Sequence, residues 1–318
     1  MKIVIPGGSG QVGSILARHF HALGHQVTVL SRSAAPAPWR VVVWDGRTRG
    51  AWVAEMEGSD ACINLTGRSV NCRYTAANRR EIYDSRILST QLLNEVIGSL
   101  KAPPQVWLNA STATIYRHAL DRPMDEATGE LGGGEQGAPD SWRFSIDVAK
   151  GWEKAFFAMA TPRTRKVALR SAMTFSTDRG GVFDVFLGLV RHGLGGTIGT
   201  GAQYVSWIHE YDFVRGVEWL MGDPGFDGVV NLAAPNPVPN REFMRVLRKA
   251  WGARIGLPAL DWMVEIGTWA MRTESELVLK SRRVVPGRLS AAGFRFEFAD
   301  WPTAAQELVV RWHKGRSS

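Results

Sequence analysis

Cysteine is nearly absent from this chain: Cys62 and Cys72 are the only two in 318 residues. So few thiols exclude a disulfide framework. Cys62 lies in the apolar run Ala61-Cys62-Ile63-Asn64-Leu65 and reads as a core thiol; Cys72, beside Arg73, reads as a bystander. This usage suits a reducing compartment, and a cytoplasmic location is expected. Long apolar runs are absent too. None approaches the roughly 20 residues needed to cross a bilayer, so no membrane partner is expected. The chain starts directly on a strand pattern, which is expected to leave no room for a signal or transit peptide. The seven histidines form no metal set. His19, His21 and His25 are spaced so that neighbours two apart do not share a helical face, and no metal is expected. The net charge is +8, yet no aromatic–basic nucleic-acid signature accompanies it. The short clusters Arg163-Thr164-Arg165-Lys166 and Lys280-Ser281-Arg282-Arg283 read as solvated surface, and no nucleic-acid partner is expected.

What is present is an ordinary composition, 45% hydrophobic and 21% charged, long enough for one large α/β domain or two smaller ones. Its most informative stretch is the start, MKIVIPGGSGQVG. Ile3, Val4 and Ile5 make a buried-strand pattern, and Gly7, Gly8, Gly10 and Gly13 follow at once. Glycines so spaced allow a tight turn and close approach to a pyrophosphate, which the N–H groups of the next helix then meet. The segment Gly7-Gly8-Ser9-Gly10-Gln11-Val12-Gly13 is therefore the candidate dinucleotide cradle. Apolar residues at helical spacing follow, ending at Gly24.

Further strands are predicted at 26–30, 40–44, 60–65, 105–109 and 166–170. Helices are predicted at about 76–99 and 141–160. This alternation predicts an α/β fold: a doubly wound parallel sheet with helices on both faces. Residues 119–140, rich in Gly, Pro, Asp and Glu, read as a long mobile loop near the site mouth. Beyond 171 the pattern loosens. Helices are predicted near 182–191 and 210–221, a strand at 205–208, and a strand at 229–233 that returns to the main sheet. Residues 240–318 read as mostly helical, with Trp251, Trp262, Trp269, Trp301 and Trp312 as packing residues. The expected division is 1–171 plus about 209–234 for the nucleotide, and 172–208 with 235–318 for the substrate.

The second strand ends Val29-Leu30-Ser31-Arg32. NAD-selective folds place a carboxylate there to bind the ribose hydroxyls. Here a guanidinium and a hydroxyl stand instead, both suited to a 2′-phosphate, which argues for NADP(H). Asp45, after the third strand, is a candidate adenine contact.

Gly7-x-x-Gly10-x-x-Gly13, Asn64-Leu65-Thr66-Gly67 and Ser111-Thr112-Ala113-Thr114-Ile115-Tyr116 resemble the extended short-chain dehydrogenases/reductases. More narrowly, Asp84-Ser85-Arg86, Trp152-Glu153, the block from Gly193 to Tyr204 with Trp207-Ile208-His209, and Val284-Val285-Pro286 resemble their atypical group. That group is the "NAD-dependent epimerase/dehydratase-like" proteins with a C-terminal domain of unknown function. The resemblance implies a Rossmann-like fold with a smaller, mostly helical C-terminal region. It implies NADP(H) contacts from Ser31, Arg32, Leu65, Thr66, Gly67, Glu81, Arg86 and, toward the nicotinamide, Thr174.

The wider superfamily uses a Tyr-x-x-x-Lys pair with a Ser or Thr. The lysine and the cofactor charge lower the tyrosine pKa, so that phenolate exchanges a proton with the substrate. Thr112 fills the Ser/Thr position, but the pair is missing. None of Tyr74, Tyr83, Tyr116, Tyr204 and Tyr211 has Lys four residues later. Counting back from Glu153 puts Ser145 and Ala149 in the two places, with Lys150 one residue out of register. His209 has two readings, an acid/base near neutrality or a cap on the helix that follows. Tyr116 and Tyr204 are further candidates, and Trp207 suggests a partly aromatic pocket. The expected function is an NADP(H)-dependent oxidoreductase or epimerase-like protein, monomer or homodimer, acting on a small carbonyl or alcohol with Thr112, His209 and Tyr116 as catalytic candidates. The alternative is a catalytically silent NADP(H)-binding redox sensor or scaffold.

Overall fold

The computed structural model describes residues 1–259 and 276–316. Strands β1 (Lys2–Pro6), β2 (Gln26–Ser31), β3 (Arg40–Val43), β4 (Ala61–Asn64), β5 (Val106–Thr112) and β6 (Arg165–Ser171) lie in one sheet. Short strands β7 (Met173–Phe175), β8 (Tyr204–Val205) and β9 (Trp207–His209) follow; β10 (Gly228–Leu232) then returns to the sheet beside β6, as its apolar run predicts. The order is β10-β6-β5-β4-β1-β2-β3, with every neighbouring pair parallel. From β1 the chain steps outward to β3, then crosses to β4 on the other side. The carboxyl ends of β1 and β4 flank that reversal, where open α/β sheets bind ligands.

The central strands are buried on both faces, so they read as apolar runs rather than alternating ones. Alternation decides the face. Ile3, Ile5, Val29, Ile63, Leu108 and Leu169 pack toward α1 (Gln11–Ala22), through Leu16 and Phe20, and toward Phe213 and Val217 of a later helix. Val4, Leu30, Cys62, Trp107 and Ala168 pack oppositely, against Leu92, Leu93, Val96 and Ile97. Those four belong to α3 (Ala76–Ser99), which follows the short α2 (Val53–Met56); Phe156 of α4 (Asp140–Phe157) joins them. Each buried Val, Leu, Ile and Phe side chain among them contributes roughly 1.5–3 kcal/mol. Helix ends follow local chemistry. Thr75 Oγ1 accepts from Asn78 N at 3.3 Å to start α3, and Gly24, at φ +79°, stops α1.

A second apolar cluster joins α5 (Val182–Arg191), α7 (Asn240–Trp251) and α10 (Trp301–Lys314). α6 (Glu210–Gly222) and α9 (Gly287–Ala291) contribute to the sheet core, whereas α8 (Glu276–Leu279) and β11 (Val238–Pro239), which pairs antiparallel with β8, pack against the second cluster. Trp301 and Trp312 are buried in this cluster and Trp251 packs against it; Trp262 and Trp269 lie outside the described residues. Leu289 and Phe294 instead join the sheet core.

Residues 119–140 depart from the loose loop expected of their composition. Arg117 N donates to Glu130 O and Gly132 N to Ile115 O; Met124 N reaches Arg283 O and Val285 N reaches Met124 O. The segment is thus stitched to residues 280–286. Glycine and charge content alone did not reveal these distant partners. The basic clusters also differ from a solvated surface. Lys280 and Arg282 are buried, and Arg163, Arg165 and Lys166 donate to backbone carbonyls of Leu100, Phe226 and Phe156 among others. Carbonyls at chain turns and helix ends absorb the positive charge.

Candidate functional site

The glycine turn joins β1 to α1 at the sheet's reversal point. Gly7 sits at φ +74°, and a Cβ there would lie 2.7 Å from Thr66 Cα. A Cβ on Gly13 would lie 2.4 Å from Gly8 Cα, so α1 packs directly against the turn. At Gly10, by contrast, the nearest heavy atom to such a Cβ is 4.0 Å away. Gly10 is the N-cap of α1, and no side chain caps that end. The first turn of α1 therefore presents N–H groups and a positive dipole to open space, a ready anion site. Gln11 Nε2 donates to Ser176 Oγ at 2.9 Å, tying the turn to the chain beyond β7.

At the end of β2, Ser31 is buried and Arg32 exposed, with no ion pair to Arg32 among the described residues. Asp45 accepts from Arg47 N, Thr48 N and the Thr48 hydroxyl, which hold its carboxyl below the usual range. It therefore locks its own turn.

The Thr66 hydroxyl is buried with no partner among the described residues, an arrangement that costs roughly 1–3 kcal/mol unless a ligand satisfies it. Beside it, a Cβ on Gly67 would lie 2.9 Å from Arg86 Cζ. Arg86 Nη1 donates to the carbonyls of Arg68 and Ile82, and the guanidinium lies 5.1 Å from the Trp152 ring centroid. No carboxylate pairs with it among the described residues, and burial pushes it down to about 10. Glu81 is exposed and pairs with Arg68.

Arg86 also lines a cavity of about 180 Å³ at the carboxyl end of β5. Thr112, Ser145 and Ala149 line it together, as the count back from Glu153 predicts. Thr112 Oγ1 accepts from Thr114 N at 3.1 Å and starts a single 3₁₀ turn, Ala113–Ile115. Lys150 points elsewhere; its Nζ donates to Gly132 O at 2.5 Å and fastens the 119–140 segment. The wall residues not singled out from sequence as site residues include Tyr74, Phe144, Glu276 and Arg282. Ser145 Oγ donates to Glu276 Oε2, and the Tyr74 hydroxyl lies 3.3 Å from Ser145 Oγ. Arg282 Nε donates to Thr114 Oγ1 at 3.0 Å. The basic run at 280–283 was the available signal, but its burial depends on partners far away in sequence. A larger open depression of about 1210 Å³ lies at the amino ends of the strands, around Asp60, Gln105 and Arg165, away from the glycine turn.

Four sequence expectations change here, at His209, Tyr116, Trp207 and Tyr204. His209, 2% exposed, is the N-cap of α6: Nδ1 accepts from Tyr211 N at 3.1 Å, Nε2 contacts Glu307 at 2.8 Å, and the ring stacks on Phe298. Both nitrogens are engaged away from the cavity. Tyr116, 2% exposed, donates to Asn231 Oδ1 at 2.9 Å and accepts from Arg170 Nη1 at 3.0 Å, while Glu153 holds Arg170 from the other side. Burial pushes its phenol up, opposite to what a proton-exchanging tyrosine needs. Trp207 is core, packed on Trp301, and the cavity's aromatics are Tyr74, Phe144 and Trp152. Thr174 is buried in β7, paired with Ile208 of β9. Tyr204 carries Arg283 over its ring at 4.4 Å and is not on the cavity wall. The Gly193–Gly201 turn clamps residues 256–259 through paired backbone hydrogen bonds, such as Gly196 N to Leu257 O.

A family model described as the NAD dependent epimerase/dehydratase family matches residues 3–233. The chain belongs to that family. A second model, a domain of unknown function (DUF1731), matches residues 261–308 of this epimerase-family chain. Epimerase family protein SDR39U1 of Bos taurus is 31% identical over 316 residues, covering 98% of this chain and 100% of that protein. Epimerase family protein YfhF of Bacillus subtilis is 28% identical over 317 residues, covering 98% of each. The crystal structure of human SDR39U1 (isoform 2) with NADPH superposes with a TM-score of 0.84 at 28% identity, covering 98% of this chain and 99% of that one. The fold is therefore the Rossmann-like one that the motifs imply, with strand order and family in agreement. Among the described residues, no helix is long and apolar enough to cross a membrane, and no cluster of His, Cys, Asp and Glu suits a metal.

Proposed function

We propose that this epimerase-family chain is an NADP(H)-dependent oxidoreductase acting on a small carbonyl or alcohol. One observation carries the reading: the glycine turn abuts Thr66, Gly67 abuts Arg86, and Arg86 lines a cavity with Thr112. On this reading Gly7 to Gly13 hold the pyrophosphate, and Ser31 and Arg32 the 2′-phosphate. Leu65, Thr66 and Gly67 border the nucleotide where it crosses the end of β4. Arg86 meets a phosphate, Glu81 faces the adenosine side, and Thr174 the nicotinamide half.

The residues present fit such a group. Among the described residues no side chain caps the helix end, the space at Gly10 is open, the Thr66 hydroxyl has no partner, and the Arg86 guanidinium is buried with no carboxylate paired to it. The NADPH in the human relative's crystal supports the choice of nucleotide. When bound, the nicotinamide supplies a hydride donor or acceptor. Thr112 donates to the substrate oxygen, and the small cavity favours a compact substrate over a sugar nucleotide. Residues 1–171 with about 209–234 would hold the nucleotide, and 172–208 with 235–318 would complete the substrate side; a second apolar cluster built on α5, α7 and α10 supports this division, while Ile208, Leu289 and Phe294 cross it to join the sheet core. Two free cysteines suit a reducing cytoplasm.

Fluorescence titration with NADPH and NADH, followed by NADPH oxidation against a panel of carbonyl compounds, tests the reading. Tighter NADH binding overturns the choice of nucleotide. The second reading, an NADP(H) sensor without turnover, draws on Ser145 and Ala149 standing where the superfamily pair belongs. It gains the field if NADPH binds and no carbonyl is reduced.

A further inference from the structure

Residues 114–124 and 280–285 meet along a seam of hydrogen bonds between distant parts of the chain. Lys280 Nζ donates to Thr114 O at 2.7 Å, the Ser281 hydroxyl donates to Ala119 O, and Met124 N donates to Arg283 O. One bond in the seam differs in kind from these. Ser281 N donates to His118 Nδ1 at 3.2 Å. A backbone N–H can only donate, so the ring nitrogen that receives it carries no proton. His118 is therefore neutral here, with its proton on Nε2. A second proton would have to sit on Nδ1, where the Ser281 N–H already points, and that bond would be lost.

The surroundings oppose that second proton. The His118 ring lies flat on Trp142 of α4, with 5.3 Å between centroids and 13° between planes. Burial, and then the charges of Lys280, Arg117 and Arg282, hold the ring below its ordinary value, while Glu135 acts in the opposite sense. Lys280 and Arg282 come from the chain after α8, and Lys280 is itself buried. Arg117 is paired with Asp121 and Glu130. Glu135, on the 119–140 segment, accepts from His118 N at 3.2 Å.

From this geometry we infer that His118 is an acid-sensitive latch on the chain that walls the cavity: protonation of its ring breaks the bond to Ser281 and releases residues 280–285 from residues 114–124. The seam carries part of that wall. Thr114 lines the cavity from one side and Arg282 from the other, and Arg282 Nε donates to Thr114 Oγ1. Acid therefore loosens the proposed substrate end. The glycine turn, tied through Gln11 to Ser176, takes no part in the seam. The latch requires neither a bound nucleotide nor turnover. The folded ring takes up its proton below the roughly 6.5 of an unfolded histidine. As pH falls through that value the released chain binds the proton first, so the seam is at full strength at neutral pH and weakens on acidification.

The test uses the full-length chain and two readouts. The first is hydrogen exchange, expressed as protection relative to unstructured amides at the same pH. Between about pH 7.5 and about pH 5.5, protection of the Ala119, Met124, Ser281 and Val285 amides is expected to fall about tenfold for each unit by which the ring is held down, while the amides of β1 keep theirs. Despite its burial, backbone N–H groups hold the Glu135 carboxyl below the usual range, so it stays ionised throughout. His118→Asn keeps a short acceptor that does not titrate, and its seam is expected to ignore pH over this window. An equal fall in wild type and His118→Asn, or no fall in wild type, overturns the latch. The second readout is nitrogen NMR of the wild-type imidazoles, with His118 assigned through its contact with Trp142, and it decides the matter if His118→Asn fails to fold. A bare Nδ1 at neutral pH and a titration below the ordinary histidine range are expected. A proton on Nδ1 at neutral pH, or a titration at or above about 6.5, overturns the latch.

Discussion

The two ends of the site are built in different ways. At the nucleotide end, contacts are made by residues close in sequence: a strand, a glycine turn and a helix within the first 22 residues, completed by the ends of β2 and β4. At the proposed substrate end, one small cavity gathers Tyr74, Thr112, Ser145 and Glu276, spread over some 200 residues of chain. The first end depends on backbone geometry, which tolerates few residue types. The second depends on side chains meeting across the fold, and different residues can supply the same chemistry.

The sharpest way to break this contrast is at the glycines. Gly13→Val forces a side chain into the Gly8 backbone. It is expected to cost about 3 kcal/mol or more and to abolish NADPH binding, read by thermal melting and fluorescence titration. A well-folded, NADPH-binding variant would show that the turn is less rigid than its contacts indicate.

Glu153→Gln comes next. Glu153 and Arg170 form a bidentate buried pair at 2.8 Å behind the cavity. Removing one partner's charge is expected to cost about 3 kcal/mol in urea unfolding, with loss of the Tyr116 contact and little change in NADPH affinity.

The third prediction concerns pH. Burial pushes the Lys280 ammonium down to about 8. The folded chain therefore releases that proton above about pH 8, whereas the unfolded chain holds it to about pH 10.4. The unfolded state binds more protons in that window, so stability rises with pH through it and is unaffected by Lys280 titration below it. Lys166, also pushed down to about 8, adds to the same rise. Urea midpoints of the wild type should climb between about pH 8 and 10, and Lys280→Met should remove part of the climb, by about 2 kcal/mol.

Arg32→Ala sharpens the nucleotide end. Loss of a charge-assisted hydrogen bond worth about 1.5–3 kcal/mol should weaken NADPH binding roughly tenfold to a hundredfold and leave NADH unchanged. Equal loss for both nucleotides would assign Arg32 elsewhere. The smallest effect is expected at His209→Ala, about 1 kcal/mol from the lost helix cap. NADPH oxidation should be unchanged, and His209→Asn should recover the stability.

Legibility in the sequence follows the same division. The positions of the strands along the chain, α3 at residues 76–99 and α5 at 182–191 were readable, because apolar periodicity and capping residues act locally. The register of Ser145 and Ala149 was readable too, because a helix converts counting into direction. Tyr74 has no lysine four residues later, and Arg86 and Arg282, which line the cavity with it, stand outside any register counted from it. Lys280 and Arg282 looked like surface charge because a basic run carries no sign of what will fold over it. His209 and Tyr116 have the right chemistry in the wrong place, facing Glu307 and Asn231.

The sequence by itself determined the sheet, the glycine turn at its reversal point and the arginine after β2. Each is set by backbone conformation or by a position fixed along one strand. Only the tertiary structure decided which side chains face the cavity. That outcome depends on the chain after residue 275 folding back over β5 and α4, and no local pattern encodes the partner of a buried carboxylate.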